Sequence, residues 1–137
     1  MTILLDTGPL VAALDADDKD YVRCSELLQT ASGPLLVPVT VMVEVCWLIE
    51  KYRGALAEAA FLSSIDSGEL ELIAVEPKDI TRIAELVRLY KDLPLGAVDA
   101  SVIAIAERLG FPAVATLDHR HFSIVRPLHV AVLQLLP

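Results

Sequence analysis

Four carboxylates stand where an acid is not needed for solubility. Asp6 closes the apolar run Ile3-Leu4-Leu5, and Asp118 follows Ala115-Thr116-Leu117. Asp99 falls in the first turn of the helical stretch that begins after Leu93-Pro94-Leu95-Gly96, and Glu44 is the lone charge between Val39 and Ile49. Brought to one place, these groups would offer the oxygen donors that hard divalent cations prefer. Such a cation lowers the pKa of a bound water and can orient it toward a phosphodiester.

Each acid also has an ordinary reading. Asp6 can open a turn, since Asp-Thr-Gly-Pro is good turn chemistry with Pro9 at a first helical position. Asp99 can be an acid favoured by a helix dipole, an effect of roughly 0.3–1 kcal/mol, and Asp118 can be a loop residue after a strand. Glu44 is harder to dismiss. It completes no capping box from Thr40, because Val43 occupies the box position. The helix around it is apolar on nearly every side, so its carboxylate points into a partly buried space and needs a cation or hydrogen-bond partners.

The elements that would position these acids alternate along the chain. Apolar runs that read as strands cover Ile3–Leu5, Leu35–Val39, Leu70–Val75, Ala113–Leu117 and His129–Leu136. Helical patterns cover Pro9–Leu14, Tyr21–Thr30, Val41–Tyr52, Ala55–Ser64, Pro77–Tyr90 and Ala97–Leu109, the last stopped by Gly110 with Pro112 soon after. Nearly all-apolar strands separated by helices describe an α/β fold, a mostly parallel sheet covered on both faces. In such sheets ligands bind outside the carboxyl ends of the strands, near a topological switch point. Asp6, Asp99 and Asp118 all fall at strand ends or at the starts of the helices that follow.

With 137 residues, 55% hydrophobic and 22% charged, the chain fits one globular domain spanning 1–137. Mean hydropathy is high at +0.57. Yet the longest uncharged stretch, Leu27–Val43, is broken by Gly33, Pro34 and Pro38, and no basic segment precedes Ile3. Neither a membrane span nor a signal peptide is expected. Cys24 and Cys46 have no metal spacing and read as buried free thiols, which suits a reducing cytoplasm. A net charge of −8 and a pI near 4.7 argue against a surface that coats nucleic acid generally. They leave room for a local phosphate groove and suit a basic protein partner.

His119 and His121 form an H-x-H pair beside Asp118 that would face one way on an extended stretch, a weak zinc signal without a third ligand. His129 reads as structural. Arg120 could meet a substrate phosphate or stay solvated or ion-paired.

The run Leu5-Asp6-Thr7-Gly8-Pro9-Leu10-Val11-Ala12 resembles the opening of a PIN domain, in particular of the VapC-type toxins of toxin–antitoxin pairs. The helix with Glu44, the segment Asp99-Ala100-Ser101 and the run Thr116-Leu117-Asp118-His119-Arg120-His121-Phe122 follow in that family's order, and the likeness extends over essentially the whole chain. Where many members carry a further acid directly after the last Asp, this chain has His119, which leaves one metal or two open. The resemblance implies a three-layer α/β/α domain acting as a Mg²⁺- or Mn²⁺-dependent endoribonuclease. Asp6 and Asp99 would be the principal ligands, Asp118 and Glu44 would bind directly or through water, and Thr7 and Thr116 would be supporting hydrogen-bond donors. It also implies an RNA substrate, a small antitoxin partner with a basic segment, and a homodimer.

Other readings compete. One is a processing nuclease of the same family without a toxin role. Another is an aspartyl-phosphate phosphohydrolase, disfavoured because Gly8 stands where the second Asp of the haloacid-dehalogenase pattern belongs and no strand-end lysine follows the later strands. A non-catalytic binding module would not need all four acids.

Overall fold

The computed structural model describes residues 1–137 and alternates five short strands with seven helices. From the N-terminus these are β1 (Ile3–Leu5), α1 (Thr7–Ala13), α2 (Tyr21–Thr30), β2 (Leu35–Pro38), α3 (Val39–Arg53) and α4 (Ala55–Asp66). Then follow β3 (Glu71–Ile73), α5 (Pro77–Leu89), α6 (Ala97–Leu109), β4 (Ala113–Ala115), α7 (His119–Ile124) and β5 (Gln134–Leu136). The strands form one sheet in the order β3-β2-β1-β4-β5, and every neighbouring pair is parallel. With helices packed on it, this is the three-layer α/β/α architecture expected from the alternation of apolar runs and helical patterns.

Strand order fixes where a site can form. The chain leaves β1 toward β2 on one side, and β4 lies on the other, so β1 and β4 flank the switch point. Their registers place Leu5 beside Ala115, and the Asp6 amide donates to the Ala115 carbonyl at 2.8 Å. The first residues beyond both strands therefore emerge side by side.

The strands are short but dry. Ile3, Leu4, Leu5, Ala113, Val114 and Ala115 are all buried, as expected for a sheet covered on both faces. The central helix α6 is buried continuously from Ala100 to Ala106, because the sequence carries no charge between Asp99 and Glu107. Gly110 ends α6 with a φ of +76°, the left-handed cap its position predicts. A polar seam joins α5 to α6: Arg108 Nε lies 3.0 Å from both oxygens of Asp79, which is 2% exposed, and Arg82 pairs with Glu107. No helix is long and apolar enough to cross a membrane.

Several boundaries differ from expectation. The last strand was expected from His129, but only Gln134–Leu136 pairs with β4. The His129 ring is instead used to donate from Nε2 to the Phe111 carbonyl at 2.8 Å. The extended stretch expected at His119–His121 is the helix α7, so that the two histidines do not share a face. Six residues rich in polar groups are too few to show helical periodicity. What holds α7 is its N-cap, where Asp118 accepts from the His121 amide at 3.1 Å, and Phe122, fully buried at a gain of about 2–3 kcal/mol.

Candidate metal centre

At the switch point lies an open cleft of about 420 Å³, lined by Asp6, Thr7, Gly8, Glu44, Asp99, Leu117 and Asp118. All four acids singled out in the sequence line it, each from a different element. Asp6 is the residue after β1 and the N-cap of α1, Glu44 comes from the second turn of α3, Asp99 from the first turn of α6, and Asp118 is the N-cap of α7.

Local contacts explain their placement. The Thr116 hydroxyl, just beyond β4, donates to Asp6 Oδ2 at 2.8 Å and accepts from the Asp118 amide at 2.9 Å. Ser101 donates to the Val98 carbonyl at 2.6 Å, so the 2.6 Å contact between Ser101 and Thr40 has Thr40 as donor. That bond ties α3 to α6 one turn before Glu44 and two residues after Asp99. Ser101 stood in the segment Asp99-Ala100-Ser101 that carries the family likeness, but nothing in the sequence signalled its bond to Thr40. At Gly8 a Cβ would come within 3.2 Å of the Leu117 side chain, so the glycine allows α1 to start against the end of β4.

The electrostatics are those of unneutralised acids. Asp6 is only 5% exposed, and burial pushes its carboxyl up from 3.8 to about 6, with Asp99 and Glu44 adding repulsion and hydrogen bonds from the Thr7 amide and Thr116 opposing it. Burial also raises Asp99, with repulsion from Asp118 and Glu44 acting in the same direction and His121 opposing it. No lysine or arginine lines the cleft. The Thr7 hydroxyl, on a residue 7% exposed, is buried there without a hydrogen-bond partner. An all-oxygen acidic cleft with a spare hydroxyl fits a hard divalent cation, which would relieve the repulsion.

Other candidates fall elsewhere. Arg120 is exposed on α7 and does not line the cleft, and His119 is exposed. His121 faces the acids, its Nδ1 2.7 Å from Asp118 Oδ2 and 3.9 Å from Asp99 Oδ2. Sequence reasoning paired His121 with His119. An Asp N-cap at Asp118 was the signal that would have separated them, since it makes 119 onward helical.

A family model described as the PIN domain matches residues 3–126. The chain belongs to the PIN-domain family. This PIN domain is 32% identical over 126 residues to ribonuclease VapC26 of Mycobacterium tuberculosis, covering 92% of this chain and 93% of that relative. Among solved structures it is similar to VapC20 of Mycobacterium tuberculosis, described as a sarcin–ricin loop cleaving toxin. The TM-score is 0.84 at 19% identity, over 94% of this chain and 98% of the other. It is also similar to the VapBC2 structure of Rickettsia felis bound to a promoter DNA fragment, with TM-score 0.68 at 20% identity, over 98% and 97% of the two chains. At these identities the two structures show likeness of fold alone.

Proposed function

We propose that this PIN domain is a metal-dependent endoribonuclease and the toxin of a toxin–antitoxin pair, residues 1–137 acting as one nuclease domain. The observation that carries the reading is the convergence of Asp6, Glu44, Asp99 and Asp118 on one cleft that no lysine or arginine lines. The name of the relative VapC26 as a ribonuclease, at 32% identity over nearly the whole of both chains, supports RNA as the substrate.

Asp6 and Asp99 would hold the ion, Mg²⁺ or Mn²⁺, with Asp118 and Glu44 bound to it directly or through water. When bound, the ion supplies an acidified water and stabilises charge developing on phosphorus. Asp6 is fixed for this by Thr116 and by the Thr7 amide. Glu44 or Asp118 holds the attacking water and takes its proton. The water oxygen forms the new bond to phosphorus as the bond to the leaving sugar oxygen breaks, and that oxygen takes up a proton. With RNA as the substrate the activity would be cytoplasmic.

The net charge of −8 supports a small antitoxin with a basic segment, whose arginine or lysine can pair with the acids and compete with the metal. Exposed Val43, Trp47 and Tyr52 on α3 and Leu56 on α4 support a protein interface, a homodimer included.

The test is incubation of purified protein with a pool of structured RNAs in Mg²⁺, Mn²⁺ or EDTA, followed by mapping of the ends. Discrete internal cuts that EDTA abolishes are expected. Discrete cuts that persist in EDTA would remove the metal from the account.

A further inference from the structure

One nitrogen lies beside two of the cleft's carboxylates. His121 Nδ1 is buried and approaches Asp118 Oδ2 to 2.7 Å, yet it makes no hydrogen bond, so the short contact lacks the alignment of an N–H donor with its acceptor. One ligand atom each from Asp99, Asp118 and His121 lie within 4.8 Å of one another. Ligands about 2.1 Å from a single octahedral ion span about 3.0–4.2 Å, so the three can serve one ion after small rotations. A second observation points to the same cleft: the Thr7 hydroxyl lining it is buried and unpartnered.

We propose that His121 is a direct metal ligand through Nδ1, which with Asp99 and Asp118 makes a mixed nitrogen–oxygen site that favours Mn²⁺ over Mg²⁺. This rests on the metal-dependent reading above and says which of this chain's residues sets ion preference. Asp118 does two things here. Its Oδ1 accepts from the His121 amide and caps α7, which turns the imidazole three residues on toward Oδ2. Buried Phe122 holds the short helix in that orientation. Mg²⁺ keeps oxygen ligands and dehydrates reluctantly. Mn²⁺ shares the preference for carboxylates but belongs to the first-row series that also takes nitrogen donors, so of these two ions an imidazole favours Mn²⁺. His119, exposed on the same helix, has no part in it.

The experiment is Mn²⁺ binding to the full chain followed by electron paramagnetic resonance, with electron spin-echo modulation reading nitrogen bound to the ion. Expected is one imidazole ¹⁴N coupling in wild type and in His119→Asn, absent in His121→Asn, with the Mn²⁺-over-Mg²⁺ affinity ratio reduced about tenfold in that variant. Should His121→Asn not fold, His119→Asn protein grown with ¹⁵N-histidine decides the matter: the modulation must change to that of ¹⁵N, and His129, bonded to the Phe111 carbonyl, is the one other histidine left. Mn²⁺ bound without nitrogen coupling, and bound more weakly by Asp99→Asn, overturns the role of His121 and leaves the metal reading standing. Failure of wild type to bind Mn²⁺ at millimolar concentration overturns both.

Discussion

Thr116 joins two acids that belong to different elements, giving its hydroxyl proton to Asp6 and receiving the amide proton of Asp118. Because β1 and β4 are neighbours in the sheet, one buried hydroxyl links the Asp6 carboxylate to the backbone at Asp118, from opposite ends of the sequence. The threonine at 116 is therefore part of the construction of the cleft.

Thr116→Val keeps the shape and removes both hydrogen bonds. Stability should fall by about 1–3 kcal/mol, the usual cost of unpairing a buried polar group. Its hydrogen bond holds the Asp6 carboxyl down, so its loss raises that pKa further. Metal affinity, followed by calorimetry, should then drop more at pH 6.5 than at pH 8. Thr116→Ser should behave as wild type.

Asp6 also predicts how metal-free protein responds to pH. Its carboxyl rises from 3.8 to about 6 on folding, so the folded state binds more protons across that interval. The stabilising contribution is fully present below 3.8 and is lost as pH rises through about 6. A shift of this size corresponds to about 3 kcal/mol, and Asp99, raised as well, acts in the same direction. In EDTA, the melting temperature of Asp6→Asn should gain on wild type between pH 5 and pH 7. A constant difference across that range would contradict the burial of an unneutralised Asp6. Saturating metal should reverse the trend, because the ion binds the deprotonated form.

Glu44 tests the repulsion from the other side of the cleft. Glu44→Gln removes one of the charges that push on Asp6 and Asp99. Without metal the variant should melt at the same temperature as wild type or higher, and it should gain less from added Mg²⁺. A clear loss of stability in EDTA would mean that Glu44 serves a structural contact.

The seam between α5 and α6 predicts the opposite separation. Asp79→Ala removes the buried partner of Arg108, which keeps Glu76 and the Ala74 carbonyl, and should cost about 1–3 kcal/mol in unfolding experiments. The affinity of the folded fraction for metal should not change, since Asp79 does not line the cleft.

Much of this was readable in the residues, for reasons that can be named. The runs Ile3–Leu5 and Ala113–Ala115 are dry strands because both sheet faces are covered, and apolar runs ending in Asp6, or just short of Asp118, placed acids at strand ends. Glu44 stood out as a lone charge on an apolar helix. Helix α7 did not, because it is held by a cap and one phenylalanine and not by a periodic face. The hydrogen bonds Thr40–Ser101 and Thr116–Asp6 join residues distant in sequence, and no local pattern encodes them.

The most direct test compares wild type with Asp6→Asn and Asp99→Asn on total bacterial RNA, at equal folded concentration and limiting Mg²⁺ or Mn²⁺, with the cut ends sequenced. The four-carboxylate metal centre predicts discrete internal cuts by wild type, abolished by EDTA and reduced at least about a hundredfold, roughly 2.7 kcal/mol of barrier, in each variant. Full cleavage at the same positions by both variants would contradict it.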